Sequence, residues 1–134
     1  MIFGESFNEC DGDCAHFLIL EDTKVYKDYF NSTSKTHYTD YFPMGMRFEN
    51  RSLSANKFEI AKSVSDSFPD YLIAHPNETF GSIDTRDQGE IYIEFKKKGK
   101  KVMKWRIDYD ETQIPTEIRP FIKQIKAVIQ SVYF

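Results

Sequence analysis

Residues 91–108 read IYIEFKKKGKKVMKWRID, and this stretch decides the fold. Apolar residues occupy every second position on both sides of Gly99: Ile91, Ile93, Phe95, Met103, Trp105 and Ile107. A period of two indicates β-strands with one buried face, because successive side chains point to opposite sides of a strand. The lysines and the glycine between the two runs mark a turn. The stretch therefore predicts an amphipathic β-hairpin whose apolar face needs a covering layer.

The C-terminal segment is predicted to supply that layer. Its apolar residues recur at helical spacing: Ile118, Phe121, Ile122, Ile125, Val128, Ile129 and Val132. This is the i, i+3, i+4, i+7 stripe of an amphipathic helix, and Pro115 and Pro120 mark a turn and the helix start. We expect the helix to lie on the apolar face of the hairpin.

A second helix is predicted to begin at Ser54, because serine is a favoured N-cap residue and apolar residues recur from Ile60 to Phe68 at helical spacing. Pro69 fits the first turn of a short helix that follows. The segment His75-Pro76-Asn77 is predicted to end it, because the residue before a proline avoids helical backbone angles.

The remaining segments predict strands and loops. Three strands are expected near the N-terminus: Met1 to Ser6, Ala15 to Leu20 and Lys24 to Phe30. Segments 38–42 and 44–48 are candidate strands around Pro43, and segment 79–89 is predicted to be a loop. The sequence thus predicts one α+β domain over residues 1–134, an antiparallel β-sheet with two main α-helices packed on one face.

Composition and charge narrow the expected function classes. The chain has 134 residues and a net charge of −3, and non-specific nucleic-acid binders usually carry a basic surplus, so we expect no nucleic-acid partner. No apolar run approaches the length of a membrane span, and no signal peptide is visible, so we expect no membrane and a cytoplasmic location. A secreted mature form would look the same. We expect a monomer or weak dimer and no cofactor.

A cysteine-rich turn is the first candidate site. Cys10 and Cys14 flank an Asp-Gly-Asp turn, and His16 follows two residues later. Thiolates and imidazole are ligands that zinc prefers, so Cys10, Cys14 and His16 are candidate metal or redox residues. Two further interpretations stay open, namely a disulfide across the turn and free structural cysteines.

The loop that enters the hairpin is the second candidate. Asp84, Asp87 and Glu90 are three carboxylates within seven residues, a pattern that suits cation binding or the acid–base chemistry of a small hydrolase. The alternative is that these residues only form the turn before the strand. The lysine run 96–101 is interpreted as a solvated hairpin tip, with contact to phosphates or an acidic protein as the alternative.

Tyrosines define the third candidate, a protein-binding surface. Tyr26, Tyr29, Tyr38 and Tyr41 are clustered in sequence, with Asp28 and Asp40 nearby, and tyrosine is enriched at interfaces. The alternative is that these rings pack in the core. The chain has no nucleophile elbow, phosphate loop or zinc-protease motif, which favours binding over catalysis. The sequence therefore predicts a small soluble non-catalytic protein-binding domain, such as an immunity or inhibitor protein.

Several short motifs also resemble a known group of proteins. They are Phe3-Gly4-Glu5-Ser6-Phe7, Cys10 with Gly12 and Cys14, Phe80-Gly81, and Asp87-Gln88-Gly89 before Tyr92. Together they resemble a family of small uncharacterised bacterial proteins of Bacteroidetes-type genomes. The resemblance implies a second glycine after Gly89 and, in some members, cysteines in the preceding loop. This chain has Glu90 there, and Ser82 and Asp84 in that loop. The family brings no known activity, so the resemblance carries over no catalytic residue.

Overall fold

The structure is a computed structural model that describes residues 1–7, 14–29, 47–83 and 89–134. The strands in chain order are β1 (Ile2–Phe7), β2 (Ala15–Leu20), β3 (Val25–Lys27), β4 (Thr79–Phe80), β5 (Gly89–Phe95) and β6 (Met103–Asp108). The helices are α1 (Ala55–Asp66), α2 (Asp70–Ala74) and α3 (Arg119–Val132), and a 3₁₀ turn covers Glu111–Gln113. The strands form one sheet in the order β3-β2-β1-β5-β6-β4. This confirms the predicted α+β fold.

Helices α1 and α3 pack on one face of the sheet, where they contact β1, β2 and β3, and the apolar residues of the predicted hairpin belong to the same core. All six apolar residues of α3 from Phe121 to Val132 that form its stripe are buried. Trp105 of β6 is fully buried and donates its indole N–H to the carbonyl oxygen of His75 at 2.8 Å. The ring of Phe68 stacks on that of Phe95 at 4.1 Å between centroids. The hydrophobic core therefore lies between the hairpin and the two helices.

Local signals in the sequence account for the helix boundaries. The hydroxyl of Ser54 accepts a hydrogen bond from the backbone N–H of Lys57 at 3.3 Å, which confirms the predicted N-cap of α1. Pro69 precedes α2 as its N-cap residue, and His75 ends that helix. Pro120 lies in the first turn of α3, where its missing N–H costs no intrahelical bond.

Two strand predictions need correction. The segment 79–89 was expected to be a loop, but Thr79 and Phe80 pair in parallel with Arg106 and Ile107 of β6, over a length too short to produce a period-two pattern. Strand β3 is shorter than predicted. Its ladder ends at Asp28 because the Asp28 side chain, rather than its carbonyl, accepts the backbone N–H of Phe17 at 2.9 Å. The candidate strands in 38–46 lie outside the described residues, although Phe48 forms a bridge with Asp28.

The sheet has two distinct ends. At the hairpin end, residues 96–102 join β5 to β6, and residues 21–24 join β2 to β3. At the loop end, β1 ends at Phe7, β2 begins at Ala15, and β5 begins at Gly89. Of the described candidate residues, Cys14, His16 and Glu90 lie at the loop end, whereas Tyr26 lies in β3 opposite Ile19. The loop end therefore holds most of the described candidate residues.

Candidate functional site

A buried Glu–His pair lies at the loop end, on the face that carries the helices. Glu5 of β1 is directly opposite His16 of β2, and His16 Nδ1 lies 2.9 Å from Glu5 Oε1. Glu5 is 3% exposed and His16 is 9% exposed. Residues opposite each other on antiparallel strands have adjacent side chains on the same face, so strand register alone brings this pair together.

Aromatic rings from the C-terminal residues cover the pair. The His16 ring centroid lies 4.9 Å from that of Tyr133 and 4.7 Å from that of Phe134. The ammonium group of Lys27 lies 4.7 Å from the centroid of the Tyr133 ring, within cation–π range. These contacts define an aromatic corner of His16, Lys27, Tyr133 and Phe134. We include Tyr29 in it because Tyr29 follows Lys27 by two residues. Its members come from β2, from β3 and the residues after it, and from the end of α3.

The carboxylate of Glu5 is only partly satisfied. Burial, the negative charges of Glu5 and Glu111, and a side-chain interaction with Glu5 together raise the pKa of Tyr109. Among the residues that the structure describes, Oε2 of Glu5 is buried and has no hydrogen-bond partner. An incompletely paired buried carboxylate is costly, so Glu5 is held there by the packing of the sheet and not by favourable solvation.

Lys126 of α3 fixes the residues around Tyr109. Its ammonium group donates to the carbonyl oxygen of Tyr109 at 2.6 Å and lies 3.8 Å from the centroid of the Tyr109 ring. It also approaches Glu111 at 3.7 Å. These contacts join α3 to the end of β6. Chemically, Glu5, His16 and Tyr109 are groups that exchange protons, but Glu5 and His16 have little exposed surface through which a substrate would reach them.

The opposite face of the sheet carries a second charged pair. Arg106 Nε lies 2.9 Å from Glu90 Oε2, and Arg106 Nη2 lies 3.0 Å from Glu90 Oε1, which makes the contact bidentate. Glu90 is 3% exposed, and burial lowers the pKa of Arg106. Tyr92 lies beside Arg106 in the register, and its pKa is raised by burial first and by the charge of Glu94 second.

A third buried carboxylate, Asp108, serves the backbone. It is fully buried, and it accepts hydrogen bonds from the backbone N–H groups of Ser82 and Asp110, both at 2.9 Å. Gly81 crosses directly over it with a φ of +85°, and a Cβ at Gly81 would lie 2.3 Å from the Cβ of Asp108. Glycine is therefore required there, both for the backbone angle and for the close approach.

The structure distributes the predicted site residues unevenly. Tyr29 is 53% exposed and Tyr26 is partly buried, whereas Asp28 is buried and does not belong to a surface. Glu90 is held by Arg106, and His16 by Glu5. Cys14 is disulfide-bonded, and a sulfur in a disulfide is not a thiolate ligand. The other predicted residues lie outside the described residues: Cys10, Tyr38, Asp40, Tyr41, Asp84 and Asp87.

Sequence reasoning missed Glu5, Arg106 and Tyr109, although two signals were present. Glu5 alternates with Phe3 and Phe7, which places a carboxylate on the apolar face of a strand. Arg106 is near Glu90 once the predicted hairpin is centred on Gly99. That register puts Tyr92 opposite Arg106, and Glu90 follows two pairs further along the ladder, on the same face. The position of Tyr109 follows from the packing of α3 and had no comparable signal.

Comparisons with known proteins add no name to this arrangement. No family model matches the chain, and no curated protein and no solved structure matches it. The resemblance to the bacterial family therefore stays a prediction. Within residues 1–7, 14–29, 47–83 and 89–134, no three His, Cys, Asp or Glu side chains are grouped as metal ligands. The helices in that part of the chain are all too short or too polar to cross a bilayer.

Proposed function

We propose that this chain is a non-catalytic protein-binding domain, of the immunity or inhibitor kind, whose partner docks on the aromatic corner. The observation that carries the proposal is the exposure of two aromatic side chains at the loop end. Tyr29 is 53% exposed and Phe134 is 62% exposed. The one other large hydrophobic side chain that is exposed among the described residues is Val102, at the opposite end of the sheet.

The two exposed rings lie on segments that contact each other. Lys27, two residues before Tyr29, contacts the ring of Tyr133, which directly precedes Phe134. That contact brings the segments that carry Tyr29 and Phe134 together at the loop end. Aromatic side chains near the centre of an interface provide much of the binding energy, because each ring buries a large apolar area with few rotatable bonds.

The sheet edges favour docking through side chains over addition of a strand. Three backbone hydrogen bonds cover the β3 edge: Tyr29 N–H to Arg47, Glu49 N–H to Lys27, and Leu53 N–H to Val25. On the β6 side, β4 pairs with Arg106 and Ile107, and the backbone N–H of Lys104 donates to the side chain of Asn77 at 2.9 Å. A partner strand needs unpaired backbone groups along an edge, and the groups named here on β3 and β6 are already bonded.

The burial of the described carboxylates also favours a binding function over hydrolysis. Glu90, the described member of the proposed acidic loop, has both oxygens engaged by Arg106. A general base must reach the proton that it abstracts, and Glu90 is only 3% exposed. Glu5 and His16 are also buried, and the His16 ring packs against the rings of Tyr133 and Phe134.

The proposal is tested with three variants of the whole chain. Wild type, Tyr29→Ala, Phe134→Ala and the matched control Val102→Ala are each used to capture proteins from a lysate of the source organism. Stoichiometric complexes are then measured by native mass spectrometry. We expect a protein that wild type and Val102→Ala retain at the same stoichiometry. Each aromatic substitution should weaken its binding by about 30-fold, the size of an interface hot spot.

Two results would overturn the proposal. One is the absence of any stoichiometric partner for the wild type. The other is a partner that all four chains bind equally, which would move the interface away from the aromatic corner. Because Tyr29 and Phe134 are largely exposed, both variants should keep the wild-type melting temperature, so loss of binding is separable from loss of folding. Tyr38→Ala and Tyr41→Ala extend the same test to the other predicted tyrosines.

A further inference from the structure

The hairpin end carries a concentrated positive charge on a chain that is acidic overall. Residues 96–102 read KKKGKKV and contain five lysines and no acidic residue. All seven residues are exposed. The whole chain has a net charge of −3, so residues outside this loop carry a net charge of −8. The described residues outside the tip carry a net charge of −4, so within the described part of the chain a basic tip stands on an acidic body.

The tip is an ordered, projecting turn. The backbone N–H of Lys100 donates to the carbonyl oxygen of Lys97 at 2.9 Å, and Gly99 has a φ of +79° at the third position of that turn. A glycine there permits the turn without strain. A Cβ placed on Gly99 would have no heavy atom within 4 Å, so the turn stands clear of the rest of the protein.

The basic residues of the adjoining strand are already engaged by carboxylates. Lys104 lies 3.7 Å from Glu94, and Arg106 is held by Glu90. Three exposed acids at this end, Glu21, Asp22 and Asp66, share a shallow groove with Lys62 and Lys96. The loop turns at Gly99, four residues past β5, and the β2–β3 connection turns about two residues past β2. The tip therefore reaches up to about 7 Å further along the sheet.

We propose that the basic tip, residues 96–102, adsorbs the protein onto an anionic lipid surface. The clustered lysines match the negative potential of such a surface, where each lysine near the headgroups adds to the attraction. Val102, 44% exposed at the base of the tip, provides an apolar side chain that enters the headgroup layer. Adsorption of this kind needs no membrane-spanning segment.

The spatial distribution of the positive charge favours binding to a flat surface over binding to a nucleic acid. A planar bilayer touches only the projecting tip, and the acidic body stays away from it. Duplex DNA presents its charge along a rod, and binding requires many phosphate contacts spread over a basic face. The tip offers only a small contact, and the acidic body would lie close to the neighbouring phosphates.

Co-sedimentation with lipid vesicles tests the inference. The full chain is mixed with vesicles of phosphatidylcholine and with vesicles that contain about one-quarter phosphatidylserine, at low and at physiological salt. We expect binding only to the phosphatidylserine vesicles, weaker at higher salt. The triple variant Lys97→Gln/Lys98→Gln/Lys100→Gln should lose roughly 100-fold in partitioning, since each lysine contributes about fivefold. Val102→Ser should lose a smaller factor.

The matched control removes the same charge elsewhere. Arg47→Gln/Arg51→Gln/Lys123→Gln changes three exposed basic residues outside the tip and should keep wild-type binding to within a few-fold. Equal losses in the two triple variants, or no binding of wild type to phosphatidylserine vesicles at low salt, would overturn the inference. So would tighter binding of wild type to a DNA duplex than to the vesicles. None of these results depends on the aromatic corner, so they leave the proposed function to its own test.

Discussion

The two ends of this sheet differ in whether their charged side chains are exposed or buried. At the hairpin end, five lysines stand in solvent around Gly99. At the loop end, Glu5 is buried against His16, and Glu90 is buried against Arg106. Exposed charges contribute little to stability because water already solvates them, whereas a buried charge is costly unless its partner stays in place. Charge at the hairpin end is thus available for contacts outside the molecule, and charge at the loop end shapes the fold.

The aromatic residues are distributed in the complementary way. Near the hairpin end, Phe68, Phe95, Trp105 and Phe121 pack against one another in or beside the core. At the loop end, Tyr29 and Phe134 are exposed. At the loop end, aromatic rings are exposed and charged side chains are buried. At the hairpin end, charged side chains are exposed and aromatic rings are packed. Because of this contrast, we propose a protein partner for one end and an anionic surface for the other.

The largest expected effect tests the core that both ends share. Ile125 is fully buried on α3, so Ile125→Asp places a carboxylate in an apolar layer without a partner. We expect the cooperative unfolding transition to disappear, because the cost of several kcal/mol is comparable to the stability of a small domain. The control is Lys123→Asp, two residues away on the exposed side of the same helix, which should change stability by less than about 0.5 kcal/mol.

Thermal and urea unfolding followed by circular dichroism check both variants. A variant Ile125→Asp that melts like wild type would show that the stripe of α3 does not face the sheet. The two ends of the sheet would then not share the core that α3 is expected to form.

The second prediction compares charges on a single strand. Arg106 and Lys104 both lie on β6, but Arg106 holds the buried Glu90, and Lys104 is 58% exposed beside the partly exposed Glu94. Arg106→Met removes the bidentate ion pair from the buried Glu90 and should cost about 2 kcal/mol, less than for a fully buried pair because the Arg106 side chain is 38% exposed. Lys104→Met should cost less than about 0.5 kcal/mol.

Urea unfolding at neutral pH measures the difference, and the double variant Arg106→Met/Glu90→Leu sharpens it. Removing both partners should restore part of the lost stability, since no buried charge then remains unpaired. Equal costs for Arg106→Met and Lys104→Met would mean that the two ends do not differ in how they use charge.

The hairpin end was predictable from the sequence because its information is local. The period-two pattern on both sides of Gly99 determines the strands, the turn and the exposed lysines, and all three match the structure. The stripe of α3 and the cap at Ser54 are equally local and were equally legible. These predictions needed no knowledge of which strand neighbours which.

The loop end depends on pairings between distant segments. His16 and Glu5 are 11 residues apart, and Arg106 and Glu90 are 16 apart, so both pairs depend on strand register. Tyr109 and Lys126 meet only after α3 has packed on the sheet. The cysteine-rich turn was predicted as a site because of its residue types. Glu5 lies in a strand whose sequence contains no such motif. Strand register and helix packing depend on tertiary contacts, and a single sequence predicts them only weakly.

The smallest expected effect separates buried from exposed tyrosines at alkaline pH. Tyr92 is 3% exposed, and burial together with the charge of Glu94 raises its pKa above that of a free phenol. Below pH about 10, Tyr92 is neutral in the folded and unfolded chains, so its contribution to stability is complete. Above that pH the unfolded chain ionises first, and stability falls until the pH passes the folded pKa. Tyr92→Phe should therefore reduce the alkaline loss by at most about 1 kcal/mol at pH about 10.5.

Tyr29→Phe is the matched control, because Tyr29 is 53% exposed. Urea midpoints at pH 8 and at pH about 10.5 should fall by the same amount in Tyr29→Phe as in wild type, and by less in Tyr92→Phe. An identical fall in all three would mean that the ring of Tyr92 reaches solvent and that its face of the sheet opens. Such opening would also loosen Arg106, which lies beside Tyr92 in the register, and would weaken the link between buried charge and fold at the loop end. The small effect of Tyr92→Phe thus tests the same packing as the larger effect of Arg106→Met. It does so without removing the ion pair between Arg106 and Glu90.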